Sequence, residues 1–255
     1  RIMGVLQRIA LAWGLATAAC LLMKRRGLII TSLLALSAYW LLLSALGGLS
    51  LEGNLVRAID MKILGGSHLW KGKGVPFDPE GLLSTLPASV TVITGYLAGT
   101  VIGTGDRVFR KLLSAGLISA AAGLLWGEVY PVNKYLWTGS YVLLTSGIAA
   151  ILLSLIYQVT EVWGWSKPFF PLKVFGRNPL FLYLISSLWV QVLVYLVRLR
   201  MPDGRKVSGY SWLYHEVFSP LAGDLTGSLL FAIFHLLLFW LILYPLYRWR
   251  VFVSV

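Results

Sequence analysis

The sequence predicts an all-α fold, a polytopic membrane helix bundle with about seven transmembrane helices. Three observations predict it. Of 255 residues, 58% are hydrophobic and only 13% are charged, against about 25% charged residues in a soluble domain. The mean hydropathy is +0.78. The apolar residues also fall into long blocks, each near the roughly 20 residues that a helix needs to cross a hydrocarbon core. The formal net charge of +12 has a matching explanation, because basic excess in so apolar a chain marks loops beside an anionic bilayer face. Membrane lipid is therefore an expected partner, and nucleic acid is not. Cys20 is the single cysteine; it can form no internal disulfide, no zinc-type spacing accompanies it, and no metal is expected.

The blocks run over residues 4–23, 28–49, 82–104, 112–129, 138–159, 174–197 and 226–247, separated by Gly, Pro or charge. Lys24-Arg25-Arg26 divides the first from the second. Between the second and third, residues 55–64 place Leu55, Ile59 and Ile63 on one face and Arg57, Asp60 and Lys62 mostly on others, the pattern of a short amphipathic helix at an interface. The third block ends in the turn Gly103-Thr104-Gly105-Asp106. The fourth is short, and its Ser114, Ala115, Gly116, Ser119, Ala120, Ala121, Ala122 and Gly123 suit close helix–helix packing in lipid. Arg177-Asn178-Pro179 marks the start of the sixth, and the seventh carries His235, expected to hydrogen-bond between helices. No repeat or linker divides the chain, so residues 1–255 are expected to form a single transmembrane helical domain.

Charge gives an orientation. Lys24, Arg25, Arg26, Arg107, Arg110, Lys111, Lys167, Lys173, Arg177, Arg248 and Arg250 lie in short connections on one side, with Asp106 and Glu161, and that side is expected to be cytoplasmic. The opposite side holds Glu52, Asp60, Asp78, Glu80, Glu128, Asp203, Glu216 and Asp224. Trp70, Trp126, Trp137, Trp163, Trp165, Trp212 and Trp249 fall near span ends, where interfacial belts form.

Three polar clusters interrupt the apolar text. The first runs from His68 through Lys71, Lys73, Asp78 and Glu80 into the third span. An imidazole and two carboxylates can serve acid–base chemistry; Asp78-Pro79-Glu80 also has the form of a helix start, with Asp as N-cap and Pro at the first helical position. The spacing fits both readings. The second cluster is Pro131-Val132-Asn133-Lys134-Tyr135-Leu136-Trp137-Thr138, where Asn133, Lys134 and Trp137 suit an anion and a stacked ring, or simply an interfacial turn with a snorkelling lysine. The third is Gln7 and Arg8 within the first span. An intramembrane arginine faces a bundle interior or water by default, or snorkels to the nearby end.

These clusters together resemble a known family. Gly4-Val5-Leu6-Gln7-Arg8-Ile9, Ile59-Asp60 with Gly65 and His68-Leu69, Asp78-Pro79-Glu80-Gly81-Leu82-Leu83-Ser84-Thr85-Leu86-Pro87, Gly95 with Ala98-Gly99, and Pro131-Val132-Asn133-Lys134 with Leu136-Trp137 and Ser140-Tyr141 look like the transmembrane acyltransferases related to heparan-alpha-glucosaminide N-acetyltransferase. Val174-Phe175-Gly176-Arg177-Asn178-Pro179-Leu180-Phe181 is similar to the later part of bacterial relatives often labelled N-acetylglucosamine-related transporters. The resemblance covers nearly the whole chain in order.

The resemblance implies a membrane enzyme that takes an acetyl group from cytosolic acetyl-CoA and gives it to an amino sugar or glycan on the periplasmic or lumenal side, with a homodimer as the family's assembly. It implies that the family's proposed catalytic histidine lies upstream of Arg1, and that this chain is the C-terminal part of a larger bundle lacking the first helices. On that view Asp78, Glu80 and His68 are supporting candidates at the catalytic centre, and Asn133, Lys134, Trp137, Gln7 and Arg8 are candidates for substrate binding. The expected location is a bacterial inner membrane, or a lysosomal membrane in a eukaryote. The rival reading is an amino-sugar or muropeptide transporter without acyl-transfer chemistry; paired inverted repeats, frequent in transporters, are not evident. A non-catalytic scaffold is a third.

Overall fold

The computed structural model describes residues 1–72, 74–202 and 204–253; Lys73 and Asp203, both in the expected outer loops, lie outside the described residues, as do Ser254 and Val255. Among the described residues, seven helices are long and apolar enough to cross a membrane. The described residues form two compact units, Arg1–Trp163 and Gly164–Val255.

In the first unit α1 (Val5–Leu22) and α2 (Arg25–Leu46) are joined by the tight basic turn at Met23 and Lys24, then α3 (Leu55–Leu64) precedes α4 (Thr85–Thr104), α5 (Val108–Gly127) and α6 (Gly139–Tyr157), which continues as a π-helical turn at Gln158–Val162. The short helix α3 falls where the periodicity predicts it. Its inward face is not the aliphatic one, however: Val56 and Asp60 are the buried residues, while Ile63 is exposed. Asn54 caps α3 by accepting from the Arg57 N–H, an N-cap arrangement that satisfies one orphan donor.

Helix α4 begins at Thr85, seven residues past Asp78, so the reading of Asp78-Pro79-Glu80 as its N-terminal cap does not hold. Residues 78–84 instead form successive turns, with Gly81 N–H donating to Asp78 O at 3.1 Å and Thr85 N–H to Leu82 O at 3.2 Å. The physical reason is that the Asp78 carboxylate is spent on Arg1 and on the Glu80 N–H.

The fourth span extends over Val108–Gly127, and its small residues do what their size predicts. A Cβ added at Gly123 would come within 2.5 Å of Leu144 N, one at Gly147 within 2.4 Å of Ala120 N, and one at Gly116 within 2.9 Å of Gly147 O. α5 and α6 thus touch backbone to backbone, the contact that small residues permit in lipid. Ser119 Oγ donates across the seam to Leu143 O at 2.7 Å. At the end of the unit where α2 finishes and α4 starts, Tyr39, Leu43, Val56, Phe77, Tyr130 and Leu136 form a buried cluster with Trp40 and Trp126 packed on it. Half-buried Trp126, at the end of α5, packs on this core with its ring 5.7 Å from that of Trp40.

The second unit contains α7 (Phe170–Arg177), α8 (Pro179–Gln191) with a π-helical continuation at Val192–Leu196, the antiparallel pair β1 (Arg198–Arg200) and β2 (Lys206–Ser208), α9 (Gly209–Trp212), a π-helical turn at Leu213–Phe218 and α10 (Ser219–Arg248). The sixth expected span, 174–197, is broken at Asn178, which precedes Pro179 and leaves the helical region (φ −136°, ψ 53°). A residue before proline is disfavoured in the helical region. Its buried side chain donates to Val251 O at 3.1 Å and accepts from Val253 N–H at 2.8 Å. The seventh helical run starts earlier than expected and kinks at Gly223, whose φ of 74° is left-handed. His235 donates Nδ1–H to Phe231 O at 2.8 Å, a bond within its own helix rather than between helices.

Candidate active site

Two loops meet at one end of the first unit, and each is shaped by its own polar side chains. In the 78–84 loop, Ser84 Oγ donates to Gly81 O at 3.0 Å and Thr85 Oγ1 donates to the same carbonyl at 3.0 Å. In the 131–138 loop, Asn133 Oδ1 accepts from the N–H groups of Tyr135 (2.8 Å) and Leu136 (3.2 Å), while buried Thr138 accepts from Asn133 N–H (3.0 Å) and donates to Pro131 O (3.0 Å). From α2, the Tyr39 hydroxyl donates to Leu136 O at 2.6 Å. Trp137 is consequently held at φ 54°, a left-handed conformation that costs a non-glycine residue roughly 1–2 kcal/mol.

Arg8 joins the two loops. It is 9% exposed, Nη1 donates to Pro79 O at 3.1 Å, and the guanidinium lies 4.0 Å from the Trp137 ring centroid. A cation held over an indole face in a desolvated place is worth about 2 kcal/mol. The snorkelling alternative for Arg8 and the lipid-anchor alternative for Trp137 therefore do not describe this structure. Trp137 Nε1–H donates to Thr91 Oγ1 of α4 at 3.2 Å, and the Tyr141 ring stands 5.0 Å away at a steep angle.

Arg1 closes the other side. Nε and Nη2 donate to the two carboxylate oxygens of fully buried Asp78 at 3.0 and 2.7 Å, and Nη2 also pairs with Glu80. The bidentate geometry is the strong form of such a contact. The hydrogen bond donated to Asp78, with the charges of Asp78 and Glu80, raises the Arg1 guanidinium above its ordinary value despite partial burial.

Around these groups lies a mouth of about 280 Å³ lined by Arg1, Arg8, Trp70, Pro79, Glu80, Lys134, Tyr135 and Trp137. The structure thus gathers Arg8, Glu80, Lys134 and Trp137, with Asp78 behind the wall. It does not gather the others: Gln7 is on the exposed face of α1, Asn133 is occupied within its loop, and His68 turns its Nδ1 onto Leu64 O at 2.8 Å at the end of α3. Sequence reasoning missed Trp70 and Tyr135 as wall residues and Arg1 as their neighbour; Arg1 lies in the extended segment before α1, and helical spacing gave no signal for it.

Behind Trp137 a second cavity of about 610 Å³ runs between α2, α4, α5 and α6. Trp137 and Tyr141 stand at one end, Thr91, Thr94, Thr145 and Ser146 along it, and Arg25 and Lys111 at the other. A third cavity of about 420 Å³ shares Arg25 and Lys111 and adds Lys24, Tyr96 and Thr104. Trp137 is the residue common to the mouth and the long cavity.

Fold and site together define a polytopic helical membrane protein with a polar mouth at one end and a long cavity opening toward cations at the other. The chain is related to the heparan-alpha-glucosaminide N-acetyltransferases. It is 31% identical to the human protein of that name over 152 residues, covering 51% of this chain and 22% of the relative, and 28% identical to the mouse protein over 152 residues, covering 51% and 23%. The match spans less than a quarter of the length of these relatives. No family model matches the chain.

Proposed function

We propose that the protein transfers an acetyl group from acetyl-CoA, admitted at the basic face, to the amine of an amino sugar held in the mouth. The observation that carries this reading is the meeting of two cavities at one indole, with relatedness to enzymes whose name specifies N-acetyl transfer to a glucosaminide. The basic face, with Lys24, Arg25, Arg26, Arg107, Arg110 and Lys111, is assigned to the cytoplasm by charge.

The residues fit the donor. Lys24, Arg25 and Lys111, the last also paired with Asp106 at 3.0 Å, offer cations to phosphates, and the hydroxyls of Thr91, Thr94, Thr145 and Ser146 lie along a cavity of about 610 Å³ that offers a pantetheine arm a mostly aliphatic wall. At the mouth, Glu80 offers a carboxylate to the sugar's ammonium and hydroxyls, Arg8 and Lys134 offer cations, and Trp70 and Trp137 offer ring faces. In the transfer the amine nitrogen bonds to the thioester carbonyl carbon, the C–S bond breaks, and the amine proton passes by way of a base to the departing sulfur, so that CoA leaves as the thiol. Donors near the mouth stabilise the oxyanion that forms in between.

The test is reconstitution in vesicles with radiolabelled acetyl-CoA at the basic face and glucosamine at the other. N-acetylglucosamine forming on the far side supports the reading; glucosamine crossing unmodified replaces it with transport. In the same assay Asp78→Asn is expected to lower transfer about tenfold, because the Arg1 pair loses its charge while Arg1, whose side chain is 35% exposed, keeps partial solvation. Asn133→Ala frees two loop N–H groups, and is expected to lower it by a similar factor through Trp137. Unchanged transfer in both variants would reduce these motifs to scaffold.

A further inference from the structure

Asp60 is a buried acid that the proposed chemistry does not use. It sits on α3, away from the mouth lining, with no exposed surface. Its Oδ1 accepts from the Leu82 N–H at 3.0 Å, and its Oδ2 is buried with no hydrogen-bond partner. Against that oxygen the turn has been pared to glycine: a Cβ on Gly81 would lie 2.0 Å from Oδ2. No other residue type fits there without displacing the turn or the acid.

We infer that Asp60 is the positioning residue of the 78–82 turn, and that a proton on its carboxyl holds that turn closed against α3 while loss of the proton loosens it. The inference rests on the proposed site, since this turn carries Pro79 O to Arg8 and Asp78 and Glu80 to Arg1. The surroundings set the direction. The ionisable groups acting on Asp60 from packed elements are Asp78 on the turn and Tyr39 on α2, both acids. The nearby cations are committed elsewhere: Arg57 of the same helix to Pro76 O and Glu52 O, Arg8 to Pro79 O, Arg1 to Asp78 and Glu80. Ionised, Asp60 holds a buried charge on an oxygen without a donor; protonated, it keeps the Leu82 bond at no such cost.

Burial, chiefly, with Asp78 adding to it, pushes the Asp60 carboxyl up to about 6 from 3.8. A group whose value rises on closing favours the closed turn while protonated. Closure therefore weakens as pH climbs from about 3.8 to about 6, by roughly a hundredfold in all, and is level above.

Hydrogen exchange of the peptide spanning residues 76–86, measured on the whole protein in lipid nanodiscs from pH 4 to 8 and corrected for intrinsic exchange, tests this. Wild-type protection is expected to fall by up to that factor through pH 4–6.5. Asp60→Asn keeps the acceptor for Leu82 and never ionises, so its protection is expected to be high and flat; Asp60→Ala removes the acceptor and is expected to be low and flat. A wild-type profile as flat as Asp60→Asn, or an Asp60→Ala profile as protected as wild type, overturns the inference. Exchange does not depend on acetyl transfer. Where transfer is measurable, its KM for the amine is expected to follow the same pH profile in wild type and lose it in Asp60→Asn, with kcat little moved; failure of transfer in wild type refutes the function and leaves the exchange result to decide the role of Asp60.

Discussion

Gly147→Val is expected to unfold the first unit's α5–α6 pair, with loss of at least about 3 kcal/mol and recovery of little monodisperse protein from mild detergent. The added carbon would meet Ala120 N at 2.4 Å and Gly116 O at 2.7 Å, both backbone atoms of a helix that cannot step aside as a side chain can. Overpacking a well-filled core costs about 1–3 kcal/mol when side chains adjust, and here two helices must separate along a seam that also carries the Ser119–Leu143 hydrogen bond. Gly99→Ala in α4 is the control. That position has open space around it, and alanine there is expected to be neutral or to stabilise by about 0.5–1 kcal/mol. Thermal melts of the two purified variants distinguish a packing seam from a general intolerance of added volume; similar melts would remove the seam from the account.

Trp137→Ala is expected to lower kcat/KM for acetyl transfer by roughly a hundredfold. The indole supplies the face under Arg8, the donor to Thr91 and the wall common to both cavities. Loss of the cation contact alone is worth about 2 kcal/mol, more than tenfold. Trp137→Phe keeps a ring but no donor, and an intermediate loss of about tenfold is expected. If Thr91→Val is as active as wild type while Trp137→Phe is impaired, ring size and not the hydrogen bond is what matters. Should alanine at 137 leave kcat/KM within threefold of wild type, the indole is not the meeting point of donor and acceptor.

Much of the fold was legible because lipid imposes a single rule on every span, and the length and apolarity of a block suffice to state it. The span boundaries erred where a particular contact overrode that rule. Nothing in the order Asp78-Pro79-Glu80 says that an arginine 77 positions earlier claims the carboxylate, so a sound capping pattern gave way to a turn. Val174 looked like part of a span because the break at Asn178 depends on Val251 and Val253, more than seventy residues on. At the site, Arg8 and Trp137 stood out because a charge and a large ring in apolar surroundings are costly. Asp60 stood out in the sequence as part of the Ile59-Asp60 resemblance, without any sign of the role its burial gives it. Its burial depends on how α3 rolls against a distant glycine, and periodicity placed it on a polar face.

The glycine seam also constrains how the long cavity can move. α5 and α6 have no slack between their backbones, so the pair behaves as one plank, with Lys111 near one end and Trp137 and Tyr141 near the other. Any widening to admit a chain-like molecule must come from α2 and α4 leaning away from that plank. Of these two, α4 is the one whose Thr91 holds Trp137 and whose start follows the Asp60 turn. Loading at the basic end would then be felt at the mouth through the tilt of a single helix.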